Sequence, residues 1–130
     1  LGRLRSGGSR NDLDGGYVMQ LSEKQALFMD DVAKLIQYAR SQGDYFTGGE
    51  LHRTPEQQQI YYEQGKTKTH DSKHLKRLAI DLFLFKAGVV TWNGNDYKKY
   101  GEYWESLRPQ NRWGGNFTGF VDAVHFEQNS

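Results

Sequence analysis

Residues Leu78 to Phe85 read LAIDLFLF, an apolar run broken only by Asp81. Its length and character fit a central β-strand. An aspartate inside a buried strand is costly unless a charge or a metal ion partners it. Asp81 is therefore either paired with a neighbouring cation, Arg77 or Lys86, or belongs to a site. Around this strand the chain has to supply a partner sheet and helices to cover it.

Helical spacing recurs before the strand. Phe28, Val32, Leu35, Ile36 and Ala39 share a face, which predicts a helix from Ser22 to about Gly43. Ser22 and Gln25 are expected to form its capping box, with Leu21 stapling against Ala26. Residues 45–52 are interrupted by two glycines and read as a loop or an irregular strand. Thr54-Pro55-Glu56-Gln57 is a strong helix start, with a cap, a proline at the first position and a box partner. That helix should end near Gly65, and residues 66–73 read as a polar loop. After the strand, Gly88 and the run TWNGND predict a turn, since Asn-Gly favours positive φ. A helix is expected over 96–107, then a Gly/Asn-rich loop over 110–119, then a closing strand or turn plus strand in VDAVHFE. Together these elements predict an α+β fold: a small single domain with an antiparallel sheet flanked by helices. Residues 1–18 read as an N-terminal arm or an appended extension, leaving 19–130 as the domain.

Composition narrows the chemistry. The chain has 130 residues and no cysteine, so a metal site would have to use histidine and carboxylate. A net charge of +1 gives no argument for nucleic acid. No apolar run is long enough to span a membrane, so membrane insertion is not expected. There is no charged start followed by an apolar segment, so a signal peptide is not expected either. Aromatic residues make up 14% of the chain, enough both to pack a core and to line a groove for a polar, sugar-bearing or peptide ligand.

His74, Asp81 and His125 could supply two imidazoles and one carboxylate, a catalytic type of zinc site when water completes it. Zinc acidifies a bound water and polarises a carbonyl, and hydrolysis then needs a proton acceptor. Asp122 lies three residues before His125. In a flat strand those side chains point to opposite faces, so a shared site requires a turn or bulge at 122–125. The bland alternative makes both histidines surface residues. Arg53 precedes a helix N-terminus, where it could meet an anionic group or simply pair with Glu50 or Glu56. Arg112-Trp113 reads as a stacking pair or pocket wall, or equally as a packed loop anchor. His52 and His70 read as surface histidines.

The stretch SKHLKRLAID, the later WGGNF and DAVHFE, and the earlier HRTPEQQ occur in the order of the blocks of the M15 metallopeptidases. The chain resembles that family, the D-Ala-D-Ala carboxypeptidase and L-alanyl-D-glutamate endopeptidase group, over about residues 52–127. The resemblance implies one zinc ion held by His74, Asp81 and His125, with Asp122 as general base and acid. It implies that Arg53 helps hold the substrate or the developing charge. Ser72 would lie at the edge of the substrate site, and Trp113, Gly114 and Gly115 would shape the cleft. One departure is Arg77, where many members carry glycine. The implied partner is bacterial peptidoglycan, and the implied activity is that of a phage-type lysin cutting the L-Ala–D-Glu bond. A D,D-carboxypeptidase and a noncatalytic wall-binding or structural phage protein are the alternatives. A monomer is expected, made in the host cytoplasm and released to act in the periplasm or cell wall.

Overall fold

The computed structural model describes residues 18–69 and 71–129. Its helices are α1 (Leu21–Ser41), α2 (Pro55–Glu63) and α3 (Gly94–Leu107), and short 3₁₀ turns cover Lys73–Lys76 and Gly114–Asn116. The strands are β1 (Tyr45–Gly48), β2 (Ala79–Lys86), β3 (Val89–Val90), β4 (Asn111–Trp113) and β5 (His125–Gln128). The sheet runs β1-β2-β5-β4 with β3 paired to β2, and every pairing is antiparallel. This is the small α+β architecture expected, with β2 in its interior.

Period-two alternation sorts β2 into two faces. Ile80, Leu82 and Leu84 turn into a core built with Phe28, Val32 and Leu35 of α1, Tyr97, Tyr100 and Trp104 of α3, and Phe126 of β5. Asp81, Phe83 and Phe85 take the opposite, less covered face. The aspartate is thus not set among the core side chains; one step of the strand carries it to the far side of the sheet.

Thr54 caps α2 as expected, its hydroxyl accepting from Gln57 N at 3.1 Å. Elsewhere the boundaries shift. Gln20 is the N-cap of α1, and Glu23 Oε1 accepts from its backbone N–H at 2.8 Å, so Ser22 lies inside the helix. Leu21 is exposed. Of the turn expected from Gly88 and the TWNGND run, the Gly88 part is present, but the Asn-Gly pair takes no part in it. Asn93 caps α3, its side chain accepting from Asn95 N at 2.9 Å, and the helix starts at Gly94. The reversal comes earlier, at Ala87-Gly88, where both residues take positive φ and join β2 to β3. The segment read as a loop over 110–119 contains β4. The N-terminal arm lies outside the described residues up to position 17, as does His70.

A second buried polar group organises the helical side. Asp31 of α1 is fully buried and accepts from Arg108 at 2.9 and 3.0 Å, and from Asn111 and Gln128 at 3.1 Å each. One carboxylate therefore ties α1 to the end of α3, to β4 and to β5. Among the described residues no helix is long and apolar enough to cross a membrane.

Candidate active site

His74 sits in the 3₁₀ turn that precedes β2. Ser72 caps this turn, its Oγ accepting from His74 N at 3.2 Å. The turn ends at Arg77, whose φ of 57° and ψ of 39° are left-handed. The conformation for which glycine suits this position is therefore present, carried here by a residue with a Cβ. His74 is 1% exposed. Its Nδ1 lies 3.0 Å from the Leu51 carbonyl, which can only accept, so Nδ1 carries a proton, and in a neutral ring the lone pair is then on Nε2. That Nε2 is 3.3 Å from Asp81 Oδ1.

Asp81 and His125 are directly opposed in the β2–β5 register. His125 Nδ1 is 3.6 Å from Asp81 Oδ1, and its Nε2 is 2.7 Å from Glu127 Oε1. The turn required between Asp122 and His125 is present, closed by His125 N donating to Asp122 O at 3.1 Å. Asp122 N donates in turn to Gly114 O at 2.9 Å. A Cβ on Gly114 would collide with the Asp122 carbonyl and stand 2.9 Å from His125 Cβ, so this close approach requires glycine.

The ligating atoms of His74, Asp81 and His125 all lie within 4.8 Å of one another. His74 Nε2 and Asp81 Oδ1 are buried and have no hydrogen-bond partner among the described residues. Two orphaned polar atoms facing each other are costly in a folded protein, and a cation between them satisfies both. Two imidazoles and a carboxylate, with no thiolate, fit a divalent zinc-type ion. Neither Arg77 nor Lys86 is the partner of Asp81; Lys86 pairs with Asp96 at 3.7 Å.

The electrostatics follow from this packing. Burial pushes the Asp81 carboxyl up, but the two imidazoles beside it outweigh that and hold it at about 2. Burial alone would pull His125 down; its contacts with Asp81 and Glu127 prevail and hold it at about 9. Asp122 is raised above the usual carboxylate range, chiefly by burial.

The cluster opens into a cleft of about 450 Å³ that Asp122 also lines. Arg53, Lys66, Lys68, Lys73 and Arg112 place positive charge on its walls, and Phe117 and Phe120 add apolar surface. Arg53 is largely committed. It pairs with Glu50 through Nε and Nη2, and its Nη1 reaches Gln58 Oε1 at 2.9 Å and Ser72 Oγ at 3.4 Å. A single Nη2–H remains for anything entering the cleft. Ser72 is buried at the cleft edge. Trp113 takes the anchor position of the two foreseen: it is 4% exposed, donates to Ala123 O at 2.7 Å, and lies against Gly101 and Gly115. Arg112 faces the cleft and stacks over Phe117 at 4.7 Å. His52 is exposed.

Residues 65–128 match the model of an M15 peptidase family described as D-alanyl-D-alanine carboxypeptidase. The chain carries an M15 peptidase domain. It is 33% identical, over 99 residues, to the L-alanyl-D-glutamate peptidase of Listeria phage A118. That alignment covers 74% of this chain and 34% of the relative, so the chain spans about a third of the relative's length. The fold is shared with the crystal structure of the Serratia marcescens L-Ala D-Glu endopeptidase ChiX. The TM-score is 0.69 at 22% identity, covering 83% of this chain and 85% of that one. Within the M15 domain, the matched span contains His74, Asp81, Asp122 and His125, while Arg53 precedes it.

Sequence reasoning passed over Glu127 and the cleft lysines. The signal for Glu127 was its place two residues after His125, which in a strand puts both on one face. The lysines stood in the polar loop KTKTHDSK, where composition alone does not say which way they turn.

Proposed function

We propose that this M15 domain hydrolyses peptidoglycan stem peptides at the L-Ala–D-Glu bond, as a zinc-dependent lysin of phage type. The observation that carries the reading is the joint placement of His74, Asp81 and His125, with His74 Nε2 and Asp81 Oδ1 left without hydrogen-bond partners, and Asp122 on the same cleft. A zinc ion held by these three residues would supply Lewis acidity, polarising an amide carbonyl and acidifying water.

The chain's own residues supply the rest. Asp122, on the tight turn before His125, takes a proton from the attacking water and passes it to the leaving amine. Its raised pKa suits a group that must both accept and donate. Arg53, held by Glu50 and Gln58, offers its remaining N–H to a carbonyl or carboxylate of the peptide. Stem peptides carry free carboxylates, and the lysines and Arg112 on the cleft walls complement them. The choice of bond draws on the two relatives, each named for L-Ala–D-Glu cleavage. Terminal trimming of D-Ala is the alternative suggested by the family description.

Mass spectrometry of purified peptidoglycan after incubation with the zinc-loaded protein tests this reading. New N-terminal D-Glu on released peptides is the expected result. Loss of a terminal D-Ala alone would assign a carboxypeptidase. No cleavage, with zinc bound and the protein folded, would assign a wall-binding or structural role.

A further inference from the structure

Glu127 is a buried carboxylate, 7% exposed, that neither the core nor the proposed proton transfer requires. Such a group is expensive to bury unless paired. Its Oε1 sits 2.7 Å from His125 Nε2, and its Oε2 is 3.7 Å from Arg112 Nη1. Arg112 is its direct cross-strand partner in β4. The backbone is fixed as well, since Glu127 O accepts from the Trp104 indole at 3.0 Å. The carboxylate is thus held from two sides with one oxygen turned to the imidazole.

We propose that Glu127 is the positioning residue of the metal centre: it keeps the His125 proton on Nε2, so that Nδ1 presents its lone pair toward Asp81 and His74. The inference rests on the zinc reading above. An ionised carboxylate can only accept, so a 2.7 Å contact places the hydrogen on Nε2. In a neutral ring the other nitrogen is then bare. His74 reaches the same end differently: the Leu51 carbonyl fixes the proton on Nδ1, so that in the neutral ring Nε2 offers the lone pair. The two histidines therefore offer opposite ring nitrogens to one point. One is oriented by a neutral carbonyl and the other by a charged carboxylate, which also makes the imidazole a stronger ligand.

The test compares wild type, Glu127→Ala and Glu127→Gln, all loaded with zinc. Competition with a chromogenic chelator gives the zinc affinity, and long-range ¹H–¹⁵N spectra show which ring nitrogen binds metal. In the wild type, His125 is expected to bind through Nδ1 and keep an Nε2 proton. Glu127→Ala is expected to weaken zinc binding about 10–100-fold with the His74 ring signals unmoved, and Glu127→Gln to fall between. A role confined to packing would change stability without altering the His125 ring signals. If Glu127→Ala does not fold, the near-isosteric Glu127→Gln decides by the same readings. Binding of His125 through Nε2 in the wild type, or variants within about twofold of wild-type affinity, would overturn the proposal. A wild type that binds no zinc, or that keeps its affinity when His74 or Asp81 is replaced, would overturn the zinc reading and this inference together.

Discussion

Asp81 and His125 are direct partners across β2 and β5, and their side chains approach to 3.6 Å on the face of the sheet away from α1 and α3. The strand register thereby sets the spacing of two proposed ligands. A slip by one residue would send one of them to the opposite face.

Zinc loading should therefore stabilise the fold. At a free concentration of about 1,000 times Kd the gain is about 4 kcal/mol. Thermal melts with and without chelator should show it. His74→Ala should abolish the zinc-dependent shift, and an unchanged shift would remove His74 from the ligand set.

The pH dependence of the metal-free protein follows from His125, raised from 6.5 to about 9. A raised histidine pKa contributes stability that is fully present below 6.5 and is lost as pH rises through 9. Zinc must displace a proton from this ring, so its affinity should increase with pH up to about 9. Calorimetry at neutral pH in buffers of different ionisation enthalpy should detect proton release on zinc binding.

Asp122→Asn should keep zinc and fold while lowering turnover about 10²–10⁴-fold. Turnover on peptidoglycan, measured beside metal content, checks this.

Arg77→Gly should stabilise the protein by about 0.5–1 kcal/mol. Left-handed backbone costs a residue with a Cβ about 1–2 kcal/mol, partly offset by the freer unfolded chain of glycine. Urea denaturation of the two forms gives the difference.

Asp31→Ala should cost about 3–5 kcal/mol, because it leaves the Arg108 guanidinium without its carboxylate and takes one acceptor each from the buried Asn111 and Gln128 amides. The Asp31 carboxyl is lowered: burial works against this, but the bonds from Arg108 and Asn111 prevail. Its contribution is therefore present above 3.8 and lost as pH falls below it. Acid unfolding of wild type and variant should converge at low pH.

Much of the site was legible because its chemistry contradicts its surroundings. Asp81 stood out as a charge in an apolar run, and the Asp122–His125 interval demanded a turn that the structure contains. Thr54-Pro55 announced a helix through local sterics alone. What escaped depended on distant partners. Asn93-Gly94 has the local chemistry of a hairpin, yet Asn93 is recruited as a helix cap. β4 is three residues in a Gly/Asn-rich stretch, and only its pairing with β5 makes it a strand. Trp113 could equally have been a wall or an anchor; Gly101 on α3 and the Ala123 carbonyl, which help decide it, are distant in sequence.

The chain has no cysteine, yet the three proposed ligands come from the turn before β2, from β2 itself and from β5. An ion bound there would act as a detachable crosslink. It would close a long stretch of chain into a loop, removing unfolded-state freedom much as a disulfide does. Unlike a disulfide, this fastening is indifferent to redox conditions and is undone by chelation or acid. A domain fastened this way would keep the same stabilising link under reducing and oxidising conditions alike.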